Sequence, residues 1–299
     1  MAVERFAPAK LNLGLEILCR RADGYHEIET IFLPLRLADR LELRHGAPGR
    51  GIQLRVTGAD LPAGADNLVF RAAQRACAEL GVPADLELAL EKNVPIAAGL
   101  GGGSSDAAAA LLGVEALFGR SLGDAARARL AVGLGADVPF FLDPRPAVGR
   151  GIGERIEPLV GVPEMFFVLV AFPFGVSTPK AYAEASAELT LPRAPTTIGA
   201  LLGPSGLFVS PRNDLEAPAA RRHPEIGAAR RALETAGALA TGMTGSGPTV
   251  FGRFANEQAA RRAAERVEVP AGARTIATSS PGSASAESKG ESDWGVAKR

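Results

Sequence analysis

The stretch AGLGGGSSDAAAALL, residues 98–112, sets Gly99, Gly101, Gly102 and Gly103 ahead of Ser104, Ser105 and Asp106. Bare glycine backbone can approach phosphate oxygens where side chains would clash. A helix that opens at such a loop turns free N–H groups and a partial positive charge toward whatever fills it. Glycine-serine runs also serve as flexible linkers, but linkers lack regular flanks. This run lies between an alternating segment and a strongly helical one, so its chemistry is phosphate binding by backbone. No lysine follows the glycines, which excludes a Walker A loop. Ser104 stands where the third glycine of a dinucleotide fingerprint belongs. A catalytic cation must therefore come from elsewhere in the chain or from a metal.

Lysine is scarce: of 33 Lys+Arg, only Lys10, Lys92, Lys180, Lys289 and Lys298 are lysines. Where charge alone suffices this chain uses arginine, so a lysine in its body points to a compact ammonium. Asp137, in GADVPFFLD, can serve as a general base; read locally, it fits a helix end or a turn equally well. Lys10 read alone fits a solvated strand. Tyr25 and Tyr182 are the only tyrosines. His26, His45 and His223 are far apart, and Cys19 and Cys77 form no C-x-x-C pair. These patterns argue against a zinc site and a disulfide framework.

The elements that position these residues follow from periodicity. Residues 10–17, 26–35, 40–44, 51–56 and 84–92 alternate as strands. Residues 68–80 carry one apolar stripe between a capping Asn67 and a stopping Gly81, which predicts a helix. A second helix follows the glycine loop, with Ser104 or Ser105 as its natural N-cap. A third spans 124–134 and ends at Gly135. Strands are expected at 147–151, 164–171, 238–243, 248–254 and 274–278, and helices at 178–187 and 224–236. This mixed order favours an α+β fold over a doubly wound sheet. The last residues are small, polar and aperiodic, and read as a disordered tail over 281–299.

The chain has 299 residues, 46% hydrophobic and 22% charged, with a formal net charge of +0. That supports a sizeable core and argues against binding nucleic acid by bulk charge. No apolar run reaches membrane-spanning length, and the N-terminus has no signal-peptide pattern, so a cytoplasmic protein is expected.

The order of several motifs carries a resemblance. Residues 95–108, P-x-x-x-G-L-G-G-G-S-S-D-A-A, resemble the second motif of the galactokinase–homoserine kinase–mevalonate kinase–phosphomevalonate kinase superfamily. The long glycine run is similar to that of its diphosphocytidyl-methylerythritol kinase branch. PAKLNLGLEI (8–17) with RRADGYHEIET (20–30) resembles that branch's opening motif. GADVPFFL (135–142) resembles its catalytic-aspartate segment. GVSTPKAY (175–182), NDLE (213–216) and MTGSGPTVF (243–251) resemble later signatures.

This resemblance implies a two-domain small-molecule kinase. Residues 1–155 would form a ribosomal-protein-S5-domain-2-like nucleotide-binding domain, and 156–280 a ferredoxin-like α/β-sandwich that binds substrate. It implies ATP as phosphoryl donor, with Mg²⁺ brought by ATP and no dedicated metal site. The acceptor would be the 2-hydroxyl of a diphosphocytidyl sugar alcohol. Lys10 and Asp137 would be catalytic. Pro95, Ile96, Ala97, Ala98, Gly99, Leu100, Gly101, Gly102, Gly103, Ser104 and Ser105 would hold ATP. Asn12, Tyr25, His26, Thr178 and Tyr182 would hold the acceptor, the tyrosines by stacking on the base. Gly245 and Gly247 would shape a second turn that completes the site. The partners implied are small molecules, with neither nucleic acid nor membrane, and the chain would be a monomer or weak homodimer.

Overall fold

A computed structural model describes residues 2–187, 211–283 and 297–298. Two long strands, β1 (Ala2–Arg20) and β2 (His26–His45), pair antiparallel as one hairpin that crosses the molecule. The alternating runs at 10–17, 26–35 and 40–44 are parts of these two strands. Their register shifts at Pro8/Lys10, Asn12/Gly14 and Ile17/Cys19. Such bulges bend a strand and re-aim its side chains, and two of them flank Lys10 and Asn12.

Around the hairpin the first sheet runs β12–β1–β2–β4–β3. It includes β3 (Ile52–Thr57) parallel to β4 (Leu86–Glu91), with β5 (Ala147–Gly151) on β2 and β6 (Arg155–Pro158) on β5. Short β8 (Arg212–Asn213) lies parallel to β1, and β12 (Ala297–Lys298) pairs with the start of β1. The tail expected to be disordered falls mostly outside the described residues; within it the Ser283 amide donates to the Val162 carbonyl at 2.8 Å.

On one face of this sheet lie α1 (Leu68–Leu80), α2 (Gly102–Phe118), α3 (Asp124–Leu134) and the single-turn α4 (Val138–Phe141). Asn67 caps α1 by accepting from the Val69 amide at 2.9 Å, and Gly81 closes it in the left-handed conformation. Ala107, Ala108 and Ala110 are fully buried, so α2 packs closely on Leu41 and Leu43 of β2. At Gly113 a Cβ would strike the Leu43 side chain.

The second sheet, β11–β7–β10–β9, is built from β7 (Met165–Ala171), β9 (Ala240–Met243), β10 (Val250–Phe254) and β11 (Arg274–Ser280), all antiparallel. Helices α5 (Thr178–Ala187), α6 (Glu216–Arg222) and α7 (Pro224–Thr235) lie between β7 and β9 in sequence, and α8 (Glu257–Arg266) lies between β10 and β11. Renumbered within this sheet, the order is 4-1-3-2 with helical crossovers, the ferredoxin-like arrangement. Strand β7 shows the two-residue period of a doubly covered strand. Phe167 and Leu169 face the first sheet beside Leu11, Leu13 and Leu33, while Val168 and Val170 face the helices. The molecule is thus layered helix, sheet, sheet, helix, an α+β architecture.

Helix α2 starts earlier than expected. Gly101, not Ser104 or Ser105, holds the N-cap position, at φ 71°. Helices α6 and α8 were not apparent in the sequence. The first contains Pro218, and the second has only alanines, Ala260 and Ala263, on its buried side.

Candidate active site

Lys10 sits on β1 between two bulges. Its side chain is 4% exposed, and its ammonium lies 3.8 Å from the Asp137 carboxylate. It donates to Asn12 Oδ1 and stands 5.7 Å from the Phe32 ring centre. Burial pushes this ammonium below the usual lysine value, and the Asp137 charge counters part of that. Asp137 occupies the N-cap position of α4 yet makes no capping bond, and its side chain is 35% exposed. Its carboxylate is therefore free of the structural job that position usually carries.

Two glycines make room for the lysine. A Cβ on Gly101 would come within 3.0 Å of Lys10 Cγ and 2.8 Å of the Phe141 ring. A Cβ on Gly245 would lie 3.3 Å from the ammonium nitrogen. The glycine loop is also tied by its backbone: Leu100 accepts from the Lys10 amide at 2.9 Å, and Gly99 accepts from the Thr244 hydroxyl at 3.3 Å. A Cβ on Gly99 would strike the Thr244 carbonyl oxygen. Several loop glycines thus serve packing within the site; at Gly103 a Cβ would meet Leu68 at an ordinary contact distance of 3.6 Å. Ala97 holds a positive φ of 52°, a conformation that costs a non-glycine residue about 1–3 kcal/mol and tends to persist at functional sites.

The loop separates two cavities. The smaller, about 350 Å³, is lined by Pro95, Ile96, Ala97, Ala98, Gly99, Leu100, Gly101, Gly102, Gly103 and Ser104. It adjoins the first turn of α2, whose leading N–H groups precede the first helical bond, from the Ser105 amide to Gly101. Ser105 is not part of it: its side chain is buried, and Oγ has no hydrogen-bond partner. The larger cavity, about 870 Å³, gathers Lys10, Asn12, Tyr25, His26, Asp137, Thr178 and Tyr182 from four separate segments. Ala97, Gly99, Gly101 and Ser104 border both spaces.

Also lining the large cavity, His26 and Tyr182 stack with ring centres 5.3 Å apart and planes 22° off parallel. Burial, then the charge of Arg20, keeps His26 below its usual value, so it stays neutral at pH 7. Burial, then the charge of Asp137, raises the Tyr182 phenol, which stays a protonated donor. Tyr25 is 60% exposed at the lip, where its amide donates to Asp23 Oδ1 at 3.1 Å.

Asn12 is fixed on both sides. Its amide group donates to Thr30 Oγ1 at 2.7 Å, and its backbone N–H donates to Thr244 Oγ1 at 2.9 Å. Thr178 opens α5 and lies 2.8 Å, hydroxyl to hydroxyl, from Ser246 in the second glycine turn. Asn213 is the unexpected scaffold of that turn. It donates to the carbonyls of Met243 and Gly245, each at 2.8 Å, and accepts from the Leu215 amide at 2.9 Å. The sequence singled out its NDLE segment but assigned it no task. Asp39, and the task that joins it to Lys92 and Asp106, were also missed; the three meet beneath α2. Among the described residues no cluster of three His, Cys, Asp or Glu side chains is arranged to hold a metal ion.

The GHMP kinases N terminal domain family matches residues 67–143, and the GHMP kinases C terminal family matches 194–270. The chain is 43% identical over 279 residues to a 4-diphosphocytidyl-2-C-methyl-D-erythritol kinase of Pelotomaculum thermopropionicum, covering 89% of this chain and 94% of that protein. It is 42% identical over 266 residues to the Thermus thermophilus protein of the same name, covering 88% and 92%. A crystal structure of 4-(cytidine 5'-diphospho)-2C-methyl-D-erythritol kinase superposes with a TM-score of 0.78 at 39% identity, over 93% of this chain and 99% of that one. The L. major mevalonate kinase, at 16% identity, TM-score 0.69 and coverage of 94% and 97%, shares the fold.

Proposed function

The chain belongs to the 4-diphosphocytidyl-2-C-methyl-D-erythritol kinase family of the GHMP kinases, and from that premise we infer how its residues divide the reaction. It is a kinase that transfers the γ-phosphoryl group of ATP to the 2-hydroxyl of 4-diphosphocytidyl-2-C-methyl-D-erythritol, giving the 2-phosphate and ADP on the route to isoprenoid precursors. ATP takes the smaller cavity, with its phosphates on the loop and on the first turn of α2. Mg²⁺ enters as part of the MgATP substrate and offsets triphosphate charge. The sugar alcohol takes the larger cavity, with its base near Tyr25, His26 and Tyr182 and its 2-hydroxyl near Asp137.

Asp137 is the general base. A hydroxyl is a poor nucleophile, and a carboxylate within hydrogen-bond reach takes its proton as the O–P bond forms. Lys10 faces and orients that carboxylate from 3.8 Å, and its buried ammonium stabilises charge on the phosphoryl group in flight. Asn12, locked to Lys10, Thr30 and Thr244, sets the ammonium's position and borders the acceptor. The observation that supports this reading best is the meeting of Lys10 and Asp137, distant in sequence, in the larger cavity, with Lys10 against Gly101, which borders both spaces.

Substrate choice is tested by ADP release from MgATP with three acceptors in parallel. Turnover is expected with 4-diphosphocytidyl-2-C-methyl-D-erythritol and not with homoserine or mevalonate. Turnover with either of the latter alone overturns the reading.

A further inference from the structure

Beneath the glycine loop lies an ion cluster with no part in the chemistry above. Lys92 follows β4 at the entry to the loop; its ammonium is buried and donates to Asp39 of β2 and, at 2.6 Å, to Asp106 Oδ2 of α2. Asp39 is fully buried, and its other oxygen accepts from the backbone amides of Asn93 at 2.6 Å and Val94 at 2.8 Å. One carboxylate therefore fixes the segment that enters the loop, the other rides on the helix that leaves it, and one ammonium joins the two.

Lys92 and Asp106 both border the smaller cavity, and a Cβ on Gly102 would lie 3.3 Å from the Lys92 ammonium. We propose that Lys92, Asp39 and Asp106 form a buried staple closing the two ends of the glycine loop, and that Lys92 is a positioning residue for the nucleotide phosphates. The staple is a costly structure to keep: buried ions lose hydration, and a hydrophobic substitute often does as well for stability. What an apolar substitute cannot supply is a fixed distance between residues 92–94 and helix α2. The loop's own ties, the Lys10 amide to Leu100 and the Thr244 hydroxyl to Gly99, hold its middle; the staple holds its two ends.

The cluster also has an open valence. Asp106 Oδ1 has no partner, although the residue is buried. Burial, together with the Asp39 charge and against the attraction of Lys92, pushes its carboxyl up to about 7. Burial would lower Lys92, but the charges of Asp106 and Asp39 outweigh it and hold the ammonium above its ordinary value. The charged groups facing Asp106 are Lys92 and Asp39, and Asp66 borders the same cavity. As pH rises through 7, Asp106 loses its proton and the cluster gains a negative charge beside the phosphate site.

The inference rests on the assignment of the loop to ATP, so its test measures MgATP affinity directly. Wild type, Lys92→Met, Lys92→Arg and Asp106→Asn are titrated with MgATP by calorimetry from pH 6 to pH 8, and KM for the acceptor is measured in parallel. Lys92→Met is expected to weaken MgATP at least tenfold while the acceptor KM stays within about twofold. Lys92→Arg recovers part of that loss, because it keeps both carboxylates paired. Wild-type affinity falls from pH 6 to pH 8, and the Asp106→Asn profile is flatter. The staple is overturned if Lys92→Arg and Asp106→Asn bind MgATP as wild type does at every pH. It is equally overturned if the variants lose both substrates to the same extent, which marks a general packing role. Should Lys92→Met fail to fold, the other two variants decide. A wild-type protein with no MgATP affinity overturns the assignment of the loop itself.

Discussion

Lys10 is held by its surroundings more than by its charge partner. It is almost wholly buried, touches Asn12, and faces a carboxylate that is itself partly open to the cavity. Substituting Asp137→Asn should leave MgATP affinity near wild type and lower kcat by about 10²- to 10⁴-fold, the usual worth of a general base. Rapid-quench kinetics with parallel calorimetry check this, and a kcat within a few-fold of wild type removes Asp137 from the role. The Lys10→Met, Asp137→Asn double variant should lose little beyond either single change, because residues that act as a unit are not additive. At the lip, Tyr25→Ala should raise the acceptor KM about 2- to 12-fold with kcat unchanged, the range expected for losing one stacking contact. Among the thiols, burial pushes Cys77 up to about 11, while Cys19 is half-buried. Iodoacetamide at pH 8 should label Cys19 and spare Cys77 until the protein is unfolded, as peptide mass mapping would read.

At the scale of elements, the loop glycines separate into two kinds. Gly99 has a φ of 74° and no room against Thr244, so Gly99→Ala combines backbone strain with a clash. It should cost about 2–4 kcal/mol and abolish turnover. Gly103 lies inside α2 where a Cβ fits in ordinary contact with Leu68, and alanine favours a helix by up to about 1 kcal/mol. Gly103→Ala should therefore hold or raise Tm but raise KM for ATP, since its methyl enters the phosphate cavity. Thermal melts beside steady-state kinetics separate the two. The same loop shows what the sequence could and could not reveal. Its flanks and its phosphate chemistry were legible, because strand, glycines and alanine helix follow one another locally. The start of α2 was not: serine is the better cap by propensity, but Gly101 takes the position because packing against Lys10 and Phe141 requires a bare residue. The pairing of Lys92 with Asp39 and Asp106 was hidden for a similar reason. Lys92 is noticed only as one of few lysines and Asp106 only as the acid after the glycines; nothing in the sequence joins them to Asp39 until the fold buries the three together. Lys10 and Asp137 were legible only as parts of ordered motifs, and Asn213 was flagged without its task of holding the second glycine turn.

For the whole molecule, the β1–β2 hairpin is the common member. Its residues enter all three apolar clusters: Leu41 and Leu43 under α1 and α2, Leu11, Leu13 and Leu33 between the sheets, Leu15, Ile17 and Ile28 against the second helical layer. The sheets are therefore expected to unfold together, with one thermal transition seen alike by near- and far-ultraviolet circular dichroism. Two separated transitions would show that the hairpin does not couple them. The same coupling brings Lys10, Asp137 and Tyr182 to one cavity from both halves of the chain. The central claim, phosphoryl transfer to the sugar alcohol, is tested most directly by ³¹P NMR of the protein with MgATP and 4-diphosphocytidyl-2-C-methyl-D-erythritol. A new phosphomonoester resonance should grow in step with ADP while the acceptor's diphosphate resonances persist. ADP formed with inorganic phosphate alone, or no change in the acceptor, would contradict the account.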